Sequence, residues 1–136
     1  MKKRTKKIVG AVLAVGCLLG LMIGIHEIQS VRAYQREVDS ITFSDIEISQ
    51  IPDGVYLGEC SVKFISARVE VTVYDGEILS IHLLEHRNER GSAAEVVLAQ
   101  MVAEQRVDVD AVAGATNSSK VLKKAAENAL LSAGGA

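Results

Sequence analysis

The chain has one proline, no tryptophan, two cysteines and no acidic residue ahead of Glu27. The cysteines are Cys17 and Cys60. Because Cys17 falls inside an apolar run, no intrachain disulfide framework holds the rest together. Cys60, beside strand-like residues, reads as a small buried hydrophobe. The missing acids mark a boundary: residues 1–7 carry five cations, and the eighteen residues from 8 to 25 carry no charge. At 1.5 Å per residue those eighteen reach roughly 27 Å, close to the ~30 Å hydrocarbon core of a bilayer.

A cleaved signal peptide has a shorter apolar run and a small-x-small site. Here the run ends at Ile25 and continues into His26, Glu27, Ile28 and Gln29 without one. Lipidation of Cys17 would leave eight further apolar residues at a mature N-terminus. The reading is an uncleaved anchor, with residues 1–7 as a cytoplasmic tail by the positive-inside rule. That places the remainder outside the cell membrane as a single-pass protein. All seventeen acids but only ten of the fifteen Lys and Arg follow residue 26, a net charge of −7 there. Such a balance argues against nucleic acid and anionic headgroups as partners.

Residues 26–45 keep a loose helical spacing of apolar positions and read as a juxtamembrane stalk, with a globular unit expected over 46–136. Arg68 to Tyr74 alternates with period two, and Asp75-Gly76 is a favoured two-residue hairpin turn. The return strand, 77–85, sorts Leu79, Ile81 and Leu83 to one face and Ile78, Ser80, His82 and Leu84 to the other. A shorter strand is expected around 55–62. Ser92-Ala93-Ala94-Glu95 has capping-box spacing ahead of a helix to about Gln105. A last helix is expected from Ser118 or Ser119 to Leu131, with Lys120, Lys123, Lys124, Glu127 and Asn128 outside. The fold class is α+β: a small antiparallel sheet covered by two helices, after one N-terminal transmembrane helix.

The stretch "DVDAVAGATNSSKVLKKAAENAL" places several small and hydroxyl residues at the entrance of that last helix. As a plain loop, Gly114 makes the turn and Asn117 or Ser118 caps the helix. Thr116 is unexplained by that reading. As a binding site, small residues admit another molecule to the backbone, and the helix start favours an anion. A hydroxyl there can contact a phosphate or be esterified to one.

These residues, with "IPDGVYLGEC", the "VTVYDGEILSIHLLEH" hairpin and the "EHRNERG" turn, resemble the FMN-binding domain family over about residues 46–134. The resemblance implies FMN bound covalently through a phosphoester at Thr116, installed by an extracytoplasmic flavin transferase using FAD and magnesium. Asp110, Gly114 and Ala115 would complete the motif. Ala113 stands where the family often has Ser or Thr, a departure bearing on a loop hydrogen bond or on the rate of modification. Asn117, Ser118 and Ser119 would present N–H groups to the phosphate. Tyr56 is a candidate border for the ring, against its ordinary role as a strand residue. His86 is expected either to hydrogen-bond the flavin or to titrate in solvent.

No catalytic residue and no metal site are read from the chain. His82 and His86 would share a strand face, yet about 13 Å apart, too far for one ion. The function expected is an anchored electron carrier between a membrane electron donor and an extracellular acceptor. The alternative is an anchored binding or scaffold domain that keeps the fold without flavin.

Overall fold

The computed structural model describes residues 2–87 and 91–134, so residues 88–90 of the "EHRNERG" turn lie outside the described residues. The chain divides into two compact units, Met1–Arg36 and Glu37–Ala136. Helix α1 runs over Lys2–Asp39, so the stalk expected after residue 26 is helical as far as Asp39. Among the described residues α1 is the one helix long and apolar enough to cross a membrane. Its most apolar window has a mean hydropathy of 2.7, and none of that window is buried.

Three antiparallel strands follow in the order β1 (Gly54–Val62), β2 (Ile65–Tyr74), β3 (Glu77–Arg87). Lys63 and Phe64 turn between the first two. Asp75 (φ 52°) and Gly76 (φ 74°) turn between the last two, both positive as the hairpin requires. Asp53 Oδ1 accepts the Asp75 N–H at 2.8 Å and fixes that turn. Along β2 the alternation is strict: Ile65, Ala67, Val69, Val71 and Val73 are buried.

β3 departs from the alternation its sequence suggests. Ile78 pairs with Val73 but Ser80 with Thr72, and Leu83 pairs with Val69 but Glu85 with Arg68. Leu79 and Leu84 are therefore extra residues, each a bulge that resets the faces. Ile78, Ile81, Leu83 and His86 pair with the buried β2 residues, while Leu79 is 64% exposed. The same resetting separates the two histidines: His82 pairs with Glu70, and His86 with Ala67 on the opposite face.

Two helices cover the buried face, α2 (Val96–Glu104) and α3 (Thr116–Ala133). α3 lies on β1 and β2 and buries Val121, Leu122, Ala125, Ala126, Ala129 and Leu130. The capping box does not form. Ser92–Glu95 is a 3₁₀ turn without a side-chain cap, and the Glu95 carboxylate goes to His86 instead, 3.0 Å from Nδ1.

α2 ends at Gln105 in the left-handed region (φ 52°). The side-chain amide of Gln105 then acts as a short extra strand on β3. Its Oε1 accepts the Ile78 N–H at 2.7 Å, and its Nε2 donates to the Ile78 carbonyl at 2.9 Å and to that of Val102 at 2.7 Å. Replacing Gln105 by Ala leaves part-buried backbone groups of Ile78 without these partners. The expected cost is about 1–3 kcal/mol, read as a lower urea midpoint with unchanged slope.

The outward face assigned to α3 is only partly outward. Lys123 is 4% exposed and Glu127 fully buried, because residues 39–46 run across that face as a strap. Glu127 Oε1 accepts the Ser44 N–H at 2.6 Å and its other oxygen pairs with Lys124, whose ammonium also reaches the Thr42 carbonyl at 2.9 Å. Lys123 Nζ lies 4.5 Å from the centre of the Phe43 ring. Val38 and Ile48 are buried on either side of the strap. The compact unit accordingly begins at Glu37, upstream of the Ile46 suggested by composition. Glu127→Ala is expected to cost about 2–3 kcal/mol, below the 3–5 typical of a broken buried pair because Lys124 retains solvent contact. Glu127→Gln keeps an acceptor for Ser44 and should cost about half as much by the same denaturation measurement.

Candidate functional site

The loop between α2 and α3 is pinned from beneath. Val107 and Val109 are buried (5% and 2% exposed), which turns Asp108 and Asp110 outward. Lys123 Nζ donates to Asp108 Oδ1 at 2.7 Å and to the Val109 carbonyl at 2.6 Å. Ser119, fully buried, accepts the Val112 N–H at 3.1 Å and donates to the Ala115 carbonyl at 2.8 Å. Two side chains of α3 thus hold both limbs of the loop. Sequence reasoning missed both, although Ser119 and Lys123 lie four apart and so share a helix face.

The loop closes in a tight turn: Ala115 N–H donates to the Val112 carbonyl at 3.0 Å, with Gly114 at φ 79°. A positive φ at the third turn position favours glycine. A side chain at Gly114 would meet no atom within 4 Å, so the space above this backbone is open. Ala113 is exposed, and the turn closes through the Val112–Ala115 backbone bond together with Ser119. The hydroxyl that the resemblance expects at this position is not needed to shape the loop.

α3 begins at Thr116, two residues before the expected start, with Ala115 at the N-cap and no side chain capping it. Neither Asn117 nor Ser118 is the cap. Ser118 and Ser119 are 3% and 0% exposed, and the Ser119 N–H donates to the Ala115 carbonyl at 2.9 Å. Thr116 is exposed on the first turn and Asn117 half-buried. Gly114, Thr116 and Asn117 are thus accessible at the positive end of the helix, and Asp110 is exposed on the loop before it.

One expected site residue lies elsewhere. A side chain at Gly58 would strike Ala125 and Ala129, while Asn128 Nδ2 donates to the Glu59 carbonyl at 2.8 Å. Tyr56 is therefore level with the C-terminal half of α3, on the order of 15–20 Å from Thr116 by helix rise. Its hydroxyl donates to the Pro52 carbonyl at 2.8 Å. His86 is at the other end of the sheet, in the cross-strand row of Ala67 and Cys60. Its side chain is 2% exposed and faces Glu95 rather than solvent. Cys60 is half-buried; burial pushes its thiol up, opposed by Lys124 and reinforced by Glu37. The thiol therefore stays protonated and inert at neutral pH.

A three-stranded sheet under two helices, with an exposed threonine opening the last one, defines a small α+β domain. Residues 66–131, from β2 through most of α3, match the model of the FMN-binding domain family. FMN is the cofactor that this match supports. No curated protein matches the chain, and no solved structure does. The residues present fit an esterified phosphate: an exposed hydroxyl, open space over Gly114, and a helix start without a side-chain cap.

Proposed function

We propose that this chain is a membrane-anchored, extracytoplasmic electron carrier whose FMN is esterified to Thr116. One observation carries the reading. Of the three hydroxyls at the start of α3, Thr116 alone is exposed, whereas Ser118 and Ser119 are buried. Its exposure suits an acceptor that a separate flavin transferase must reach. In that reaction the Thr116 Oγ–P bond forms as the pyrophosphate P–O bond of FAD breaks. AMP leaves, and the hydroxyl proton passes to a base on the transferase. The helix dipole stabilises the resulting monoanion by about 0.3–1 kcal/mol.

Bound in this way, FMN supplies one- and two-electron chemistry, which the protein alone does not have. The chain contributes tethering and exposure. α1 anchors it, and the basic residues 2–7 favour a cytoplasmic N-terminus, so the domain takes electrons from a membrane donor and passes them to an acceptor outside. The test is intact mass of the protein from cells holding the transferase: one FMN-sized adduct is expected, and Thr116→Ala should abolish it.

A further inference from the structure

Esterification places a new negative charge at Thr116, beside a loop that already carries Asp108 and Asp110. Asp108 is neutralised by Lys123, 2.7 Å away, and Lys124 is committed to Glu127 and the Thr42 carbonyl. Lys120 is the remaining lysine of α3, one turn beyond Thr116. Helical side chains lean toward the N-terminus, so a residue at i+4 covers the turn holding residue i. Lys120 is thus within reach of the turn that Thr116 opens.

In the unmodified chain Lys120 Nζ stands 3.6 Å from Asp39 Oδ1, a long pair whose carboxylate is 72% exposed. With Lys120 27% and Asp39 72% exposed, the long pair is partly screened by solvent and yields to a better anion. Building on the esterification at Thr116, we propose that Lys120 is the counter-cation of the phosphodiester and that Asp39 competes for it before modification. Lys120 then favours the approach of the FAD pyrophosphate and afterwards holds the ester. Asp39, at the end of α1, opposes both.

The two residues are separable because a structural ion pair and a competing one give opposite signs. Full-length chain in detergent is incubated with purified transferase, FAD and magnesium, and the fraction carrying the FMN mass is followed over time. Lys120→Met should slow the initial rate about threefold, Lys120→Arg should restore it, and Asp39→Asn should raise it by a similar factor. The ³¹P resonance of the modified protein should move in Lys120→Met and return in Lys120→Arg. Thermal melts establish that each variant is folded.

Lys120→Met matching the wild type, Lys120→Arg as slow as Lys120→Met, or Asp39→Asn slowed as well would each overturn the assignment. Those outcomes leave modification of Thr116 standing. A wild-type chain left unmodified by active transferase, or an adduct surviving in Thr116→Ala, removes the esterification and this inference together.

Discussion

Gly58→Ala is expected to lower the melting temperature of the domain over residues 37–136 by 12 °C or more. A β-carbon there would sit 2.1 Å from the Ala125 carbonyl oxygen and 2.3 Å from the Ala129 nitrogen. Both are backbone atoms, so no rotamer change relieves the contact. α3 must lift from β1, reducing the packing of Ala125, Ala126 and Ala129, all fully buried. Overpacking in a core costs about 1–3 kcal/mol when side chains can adjust, and this site exceeds that range. At 4–8 °C per kcal/mol for a domain of this size, about 3 kcal/mol gives the stated shift. Gly54→Ala is the control, because a β-carbon at Gly54 meets the Tyr56 ring and hydroxyl, the far end of a side chain. A Gly58→Ala melt within a few degrees of the wild type would mean that the helix does not rest on this strand as described.

Thr116→Ala carries the largest functional effect: complete loss of the covalent adduct with the fold retained. Thr116 is exposed on the first turn, so removing its hydroxyl and methyl should cost about 0.5 kcal/mol or less. Thr116→Ser keeps the acceptor oxygen and should keep the adduct, at a reduced rate because the hydroxyl samples more rotamers. Expression must include an active transferase, since without it every version has the unmodified mass. The decisive measurement is intact mass before and after tryptic digestion, which localises the adduct to the peptide spanning residues 107–120. An adduct on a peptide lacking Thr116 would displace the acceptor to another residue.

The apolar run, the Asp75-Gly76 turn, the β2 alternation and the last helix were all readable because each rests on local pattern. β3 was misread because a bulge leaves no mark in hydrophobic periodicity; Leu79 and Leu84 look like ordinary members of an alternating strand. The buried Lys123 and Glu127 were misread for a different reason. Charge predicts exposure only until another segment covers it, and nothing around residues 39–46 announces that it packs on a helix some eighty residues later. At the site, Thr116 stood out in the sequence as the hydroxyl that no cap requires, and the structure places it exposed on the first turn. Ser118 and Ser119 were grouped with it because composition does not show which way a helix is rotated; the first buried turn decided that. Tyr56 was selected for its ring alone, and only the pairing of β1 with α3 shows how far it lies from the loop.

The strap also sets where this protein can be cut. A soluble version starting at Ile46, the boundary composition recommends, would discard Phe43 and Ser44 while retaining Lys123 and Glu127. The helix would then present to water a face shaped for chain that has been removed, and Glu127 would lose its Ser44 partner. Starting at Glu37 keeps the whole covering segment with Val38, and removes the apolar helix all the same. The two fragments differ by nine residues and should differ in yield and in urea midpoint, with the longer one behaving as the intact domain.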